Sequence, residues 1–197
     1  MTPAWKHYER AFDRFLRERR VPHVRIDQAR ELLVPSRTPR HDAADPAGLK
    51  YFDFVVYGDG VNLLVELKGR RVVLRADEAP PRLECWAMAD DVASLREWET
   101  LFGHGFEAVF VFAYWSTERP APSLFDDVFE HDGRWYGLRA VRVADYAASM
   151  RTRSPRWGTV DLAQPDFARI SAPFRPGSPI DQRPVPQAVP GHEEVSG

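Results

Sequence analysis

The sequence predicts an α/β (α+β) domain: a mixed central sheet flanked by helices, with an irregular proline-rich C-terminal tail. Three observations carry this. An amphipathic helix opens the chain, two apolar runs meet at Gly58-Asp59-Gly60 in its middle, and a second helix leads into a continuous apolar run at 107–115. Helices alternating with apolar strands around a hairpin bury their faces as layers on one sheet.

Residues 3–20 form the first predicted helix. Trp5, Phe12 and Leu16 share a stripe with Glu9 in line, and Tyr8 and Phe15 widen it as core residues. Glu9 is thus a carboxylate set into an apolar face; it reads equally as a site residue and as an edge-of-stripe acid paired at the surface. Val21-Pro22 ends the helix, a short strand follows at 23–26, and a turn of helix at 28–33. Residues 35–48 lack periodicity and form a loop, either substrate-contacting or a plain insertion.

The stretch 51–69 organises the rest. Its two runs read as buried on both faces and joined by a turn, yet they contain Asp53, Glu66 and Lys68. Charges are rarely buried unless paired or bound to a metal. Glu66 and Lys68 lie two apart on a strand and share a face. Whether Asp53 joins them depends on register. A simple three-residue loop pairs Asp53 with Val65 and turns it away from Glu66; a one-residue bulge at either glycine brings the two carboxylates side by side. Lysine is scarce in the chain, only Lys6, Lys50 and Lys68. A lysine in an apolar strand, where arginine is the usual cation, suits a role that needs a compact charge. Arg70 and Arg71 follow at the strand end as candidate phosphate contacts or solvated charges.

Helix 91–102 carries Val92, Leu95, Trp98, Leu101 and Phe102 as its apolar residues and ends at Gly103; strand 107–115 is central; 134–143 is a further strand and 144–150 a short helix. The expected domain is 1–151, with 152–175 as an extended segment packed on it and 176–197 as a disordered tail.

Bulk properties bound the function. The 197 residues carry a net charge of −2 and one cysteine, Cys85, so no intrachain disulfide forms and a cytoplasmic location is expected. The charged N-terminus is not a signal peptide, and no apolar run is long enough to span a membrane. Residues 1–40 hold ten Lys/Arg and five Asp/Glu, whereas 77–132 hold three and thirteen; such asymmetry lets one face meet a polyanion. Zinc spacings, phosphate-binding glycine loops and a Gly-x-Ser-x-Gly nucleophile are missing.

The order helix with Glu9, strand with Asp53, hairpin, strand with Glu66-Leu67-Lys68, helix and apolar strand resembles the PD-(D/E)xK nuclease superfamily over about residues 3–115, whose restriction-endonuclease-like core is α-β-β-β-α-β. Phe52 stands where the motif has proline. His7-Tyr8-Glu9-Arg10-Ala11-Phe12 is similar to the His-Tyr-Glu-x-Ala-Phe signature of the HYExAFE family, bacterial proteins of unassigned function, with Asp13 in place of its final Glu. The resemblance implies a nuclease acting on DNA, less readily RNA. It implies Mg2+ or Mn2+ held by Asp53, Glu66 and the Leu67 carbonyl, and Lys68 to position or help deprotonate the attacking water. Glu9 would orient Lys68 or join a second metal through water, and a homodimer is compatible. The rival reading is a catalytically idle nuclease fold kept as a binding or assembly module; a third is a plain structural ion pair.

Overall fold

The computed structural model describes residues 6–26, 49–74, 81–122 and 124–176. The expected loop at 35–48, the helical turn at 28–33, Trp5 and nearly all of the tail lie outside the described residues.

A seven-stranded mixed sheet forms the centre, with strand order β1-β2-β3-β5-β7-β10 and β6 also paired with β7. Its first strands are β1 (His23–Arg25), β2 (Phe54–Val56) and β3 (Asn62–Arg71), all antiparallel neighbours. Then come β5 (Phe106–Ser116), parallel to β3, and β7 (Arg134–Arg142), antiparallel to β5. β6 (Val128–His131) and β10 (Ala172–Pro173) share the far side of β7. A smaller sheet joins β4 (Ala87–Met88), β9 (Thr159–Asp161) and β8 (Arg151–Ser154).

Helices α1 (Lys6–Glu18) and α2 (Ala89–Phe102) cover opposite faces of the main sheet. Strand alternation explains this sorting. Val65, Leu67, Val109 and Val111 point to Phe12, Phe15 and Leu16 of α1, while Leu64, Ala108, Phe110 and Phe112 point to the side of Val92 and Leu95 of α2. β5 is buried on both faces, which accounts for its unbroken apolar run. The parallel β3–β5 pair requires a crossover, and α2 supplies it. The order α1, β1, β2, β3, α2, β5 reproduces the expected core, with β4 as a short addition.

Segment 152–175 is not extended throughout. Helix α3 (Val143–Ser149) precedes it, and its residues 164–170 form α4 (Gln164–Ile170), which buries Phe167 and Ile170. Tyr146 of α3 ties this region down by donating to the carbonyls of Cys85 (2.8 Å) and Val160 (3.2 Å). Tyr146→Phe strands those buried acceptors, so thermal melts should show a loss of about 1–3 kcal/mol.

Candidate active site

The hairpin register places the carboxylates. Phe54 pairs with Val65, Val55 with Leu64 and Val56 with Leu63, one residue away from the register of the simple three-residue loop. The ladder ends at Phe54, Asp53 turns back onto the carbonyl of the same Val65, and its carboxylate comes close enough to Glu66 to feel its charge. The shift from the simple three-residue loop arises in a longer connection at 57–61; neither Gly58 nor Gly60 takes the left-handed conformation of a glycine bulge. Asp53 is fixed twice: its N–H donates to the Val65 carbonyl (2.9 Å), and its Oδ2 accepts the Leu67 N–H (2.7 Å). Pairing of β2 stops here, while β3 continues along β5 to Arg71. The acids therefore sit where the edge of β3 opens.

Lys68 projects on the same face and donates to Glu66 Oε1 (2.8 Å) and Asp91 Oδ2 (2.6 Å). Asp91, in the first turn of α2, also accepts from Lys50 (3.2 Å). The Glu66 and Lys68 side chains are 15% exposed and Asp91 10%. That is open enough for water or a small ion and closed enough to strengthen every charge interaction.

The electrostatics follow. Burial, then the Glu66 carboxylate, pushes the Asp53 carboxyl well above the usual range against the pull of the Leu67 N–H. Burial raises Glu66 as well, with Lys68 opposing and Asp91 adding. For Lys68, burial works downward, but Glu66 and Asp91 more than offset it and push the ammonium pKa up. Asp91 stays low despite burial because Lys68 and Lys50 hold it ionised. Held between two carboxylates, the Lys68 ammonium is placed to orient water and to stabilise negative charge.

Glu9 is buried at 6% exposure on α1, across the sheet from Lys68. Its Oε2 accepts from Arg25 (3.2 Å), and its charge adds to the forces raising Asp53. Tyr8, expected only as core, lies against β3: a Cβ at Gly69 would come within 2.1 Å of its ring. Its phenol pKa is raised by burial and then by Asp53 and Glu9. Gly69→Ala forces the ring off β3 and should cost about 1–3 kcal/mol, read as a lower denaturation midpoint.

Arg70 and Arg71 part company. Arg70 shares the Lys68 face, toward α2; it is 9% exposed, stacks on Trp86 at 3.9 Å and donates to the Gly69 and Trp86 carbonyls. It packs the interior and is not placed for a phosphate contact. Arg71 is exposed. Asp91 and Lys50 are the residues that sequence reading missed. The acid at the start of α2 was the available signal, but a first-turn acid is also what any helix dipole favours.

The donor set suits a hard divalent cation. Asp53 offers Oδ1 and Glu66 offers Oε2, since their other oxygens are already bonded to Leu67 and Lys68. Among the described residues no cluster of three or more His, Cys, Asp or Glu could hold a metal. Two carboxylates are the ligand complement of an ion that keeps several of its waters.

No family model and no curated protein matches the chain. Among solved structures it is similar to Archaeoglobus fulgidus Hjc, a Holliday junction resolvase from an archaeal hyperthermophile, at 16% identity and a TM-score of 0.44, covering 81% of this chain and 88% of that one. Among the described residues no helix is long and apolar enough to cross a membrane.

Proposed function

We propose that this protein is a metal-dependent nuclease that hydrolyses phosphodiester bonds of DNA, with RNA as the lesser substrate. The observation that carries the reading is the closeness of the Asp53 and Glu66 carboxylates at an open strand edge, with the Lys68 ammonium clamped beside Glu66. Two carboxylates pressed together repel, and a cation between them relieves the repulsion.

Asp53, Glu66 and the Leu67 carbonyl are the proposed ligands of Mg2+ or Mn2+, which when bound supplies Lewis-acid polarisation of the phosphoryl group. The chain's own residues do the rest. Leu67 N–H and the Val65 carbonyl hold Asp53 in its rotamer and backbone position. Glu66 and Asp91 fix the Lys68 ammonium, so it meets developing phosphorane charge without reorganising. Glu9, held by Arg25, adds negative potential beside Asp53 and strengthens cation binding.

The idle-module reading draws on one specific observation: Lys68 already has two carboxylate partners and forms a self-sufficient ion cluster. Incubation with supercoiled, nicked, branched and single-stranded DNA in Mg2+ or Mn2+ separates the two readings. The nuclease should cut at least one substrate, Asp53→Asn and Glu66→Gln should abolish cutting, and Lys68→Ala should lower the rate about 100-fold or more. Cutting that persists in Asp53→Asn/Glu66→Gln would assign the activity elsewhere.

A further inference from the structure

We propose that Arg71, Arg134 and Arg119, mounted on Trp115 and Trp135, form a binding surface for a polynucleotide phosphate backbone beside the candidate active site. This deepens the nuclease reading, on which it rests, by naming the surface that would hold the substrate.

The surface is built by strand pairing. Arg71 of β3 stands opposite Trp115 of β5, and Trp115 opposite Tyr136 of β7, so the three form one row across the sheet. Arg134 lies two residues from Tyr136 and on the same face. The guanidinium groups of Arg71 and Arg134 both lie over the Trp115 ring, at 5.4 and 5.5 Å. Arg119 lies over Trp135 at 5.0 Å, and Trp135 pairs with Ser116 and faces the other side. The arginines therefore wrap the end of the sheet at the close of β5. His7 underpins the row: its ring is 4.9 Å from Trp115 and its Nδ1 is 2.8 Å from the Tyr136 hydroxyl.

The chemistry points to phosphate. Among the described residues most arginines are matched with acids: Arg14 with Glu18, Arg17 with Asp13, Arg25 with Glu9, Arg142 with Glu107 and Arg151 with Asp161. Among the described residues Arg71, Arg119 and Arg134 make ring contacts instead and have no carboxylate within ion-pair distance. Of the acids in this region, Asp132 meets Arg10 (3.8 Å) and His131 (3.4 Å), and Glu130 stands opposite Trp135 without an ion pair to these three arginines among the described residues. The crowding of positive charge registers on His7, whose pKa is lowered by burial and then by Arg134 and Arg10. A guanidinium laid on an indole keeps its in-plane N–H groups free, the geometry that takes phosphate oxygens in pairs. Arg71 lies on the same strand as Lys68, about 10 Å farther along at 3.3 Å per residue, with its side chain on the opposite face of the sheet, whereas Trp135 and Arg119 lie on the Lys68 face. A backbone that leaves the carboxylates meets Arg119 first and reaches Arg134 and Arg71 by rounding the end of the sheet. The net charge of −2 makes such a local concentration of unmatched cations the more selective.

The test is made in an Asp53→Asn/Glu66→Gln background, where the two site acids are neutral and no cation is needed for approach. Binding of a fluorescent DNA duplex, and of an RNA duplex in a second arm, is followed by anisotropy across a salt series. Arg71→Gln/Arg119→Gln/Arg134→Gln should weaken binding roughly 30-fold or more and reduce the salt slope by about 2–3, near 0.9 per lost phosphate contact on duplex DNA. The charge-matched control Arg14→Gln/Arg96→Gln/Arg169→Gln should change neither, and circular dichroism confirms that both proteins are folded. Loss with either nucleic acid supports the surface. An equal loss in the control, no loss in the test protein, or no binding by the background protein would overturn it. Failure of the wild type to cleave any substrate, with binding still dependent on these arginines, would remove the enzyme and leave the surface standing.

Discussion

Lys68→Met is expected to destabilise the protein by about 3 kcal/mol or more at neutral pH and to silence the proposed activity. The ammonium is the counter-charge shared by Glu66 and Asp91, at 2.8 and 2.6 Å. Removing one partner of a mostly buried ion cluster leaves uncompensated charge, which costs more than the cluster itself contributes. The pH dependence has a definite sign. In the wild type the Lys68 pKa is raised, so its stabilising contribution is complete below the ordinary lysine value and is lost only as pH rises beyond it. In the variant the loss of Lys68 pushes Glu66 and Asp91 upward. They gain stability by protonation, and the deficit should shrink as pH falls toward 4–5. Chemical denaturation of both proteins between pH 4.5 and 9 measures the gap. A constant gap across that range would show that Glu66 and Asp91 do not carry the penalty.

Asp53→Asn should act in the opposite direction, stabilising the protein in the absence of divalent cations. Burial and Glu66 raise the Asp53 carboxyl well above the usual range. A raised folded-state pKa gives stability that is full below the unfolded value of about 4 and lost as pH climbs through the folded value. At neutral pH the Asp53 carboxyl is therefore a liability that asparagine removes, while the asparagine side-chain oxygen can still accept the Leu67 N–H. The advantage should vanish near pH 4. Added Mg2+ or Mn2+ should reverse the order: a cation at 10–100 times its Kd stabilises the wild type by about 1.4–2.7 kcal/mol and leaves the variant unmoved. Melting curves with and without cation at pH 7.5 read this directly.

The two effects rest on different parts of what the sequence shows. The hairpin, the Glu66-Leu67-Lys68 strand, the helix beyond it and the central strand at β5 were legible from apolar runs and turn residues. The register that decides whether Asp53 faces Glu66 was not, because it depends on how the connection at 57–61 closes. Asp91 was hidden because the depth to which an acid at the start of α2 is buried depends on how the helix docks. Arg70 and Arg71 read alike as adjacent cations. Only the continuation of β3 along β5 to Arg71 sends one inward to Trp86 and the other to the surface. The short strands β4, β8, β9 and β10 were beyond reading, because two to four residues are too few to show a period.

The most direct test of the Asp53–Glu66 site is calorimetric titration of Mg2+ and Mn2+ into the wild type and into Asp53→Asn/Glu66→Gln, each alone and with a DNA duplex in the cell. The site predicts saturable binding to the wild type, tighter in the presence of DNA, and none to the variant in either condition. A wild type that binds neither ion even with DNA present, or a variant that binds as the wild type does, would contradict it.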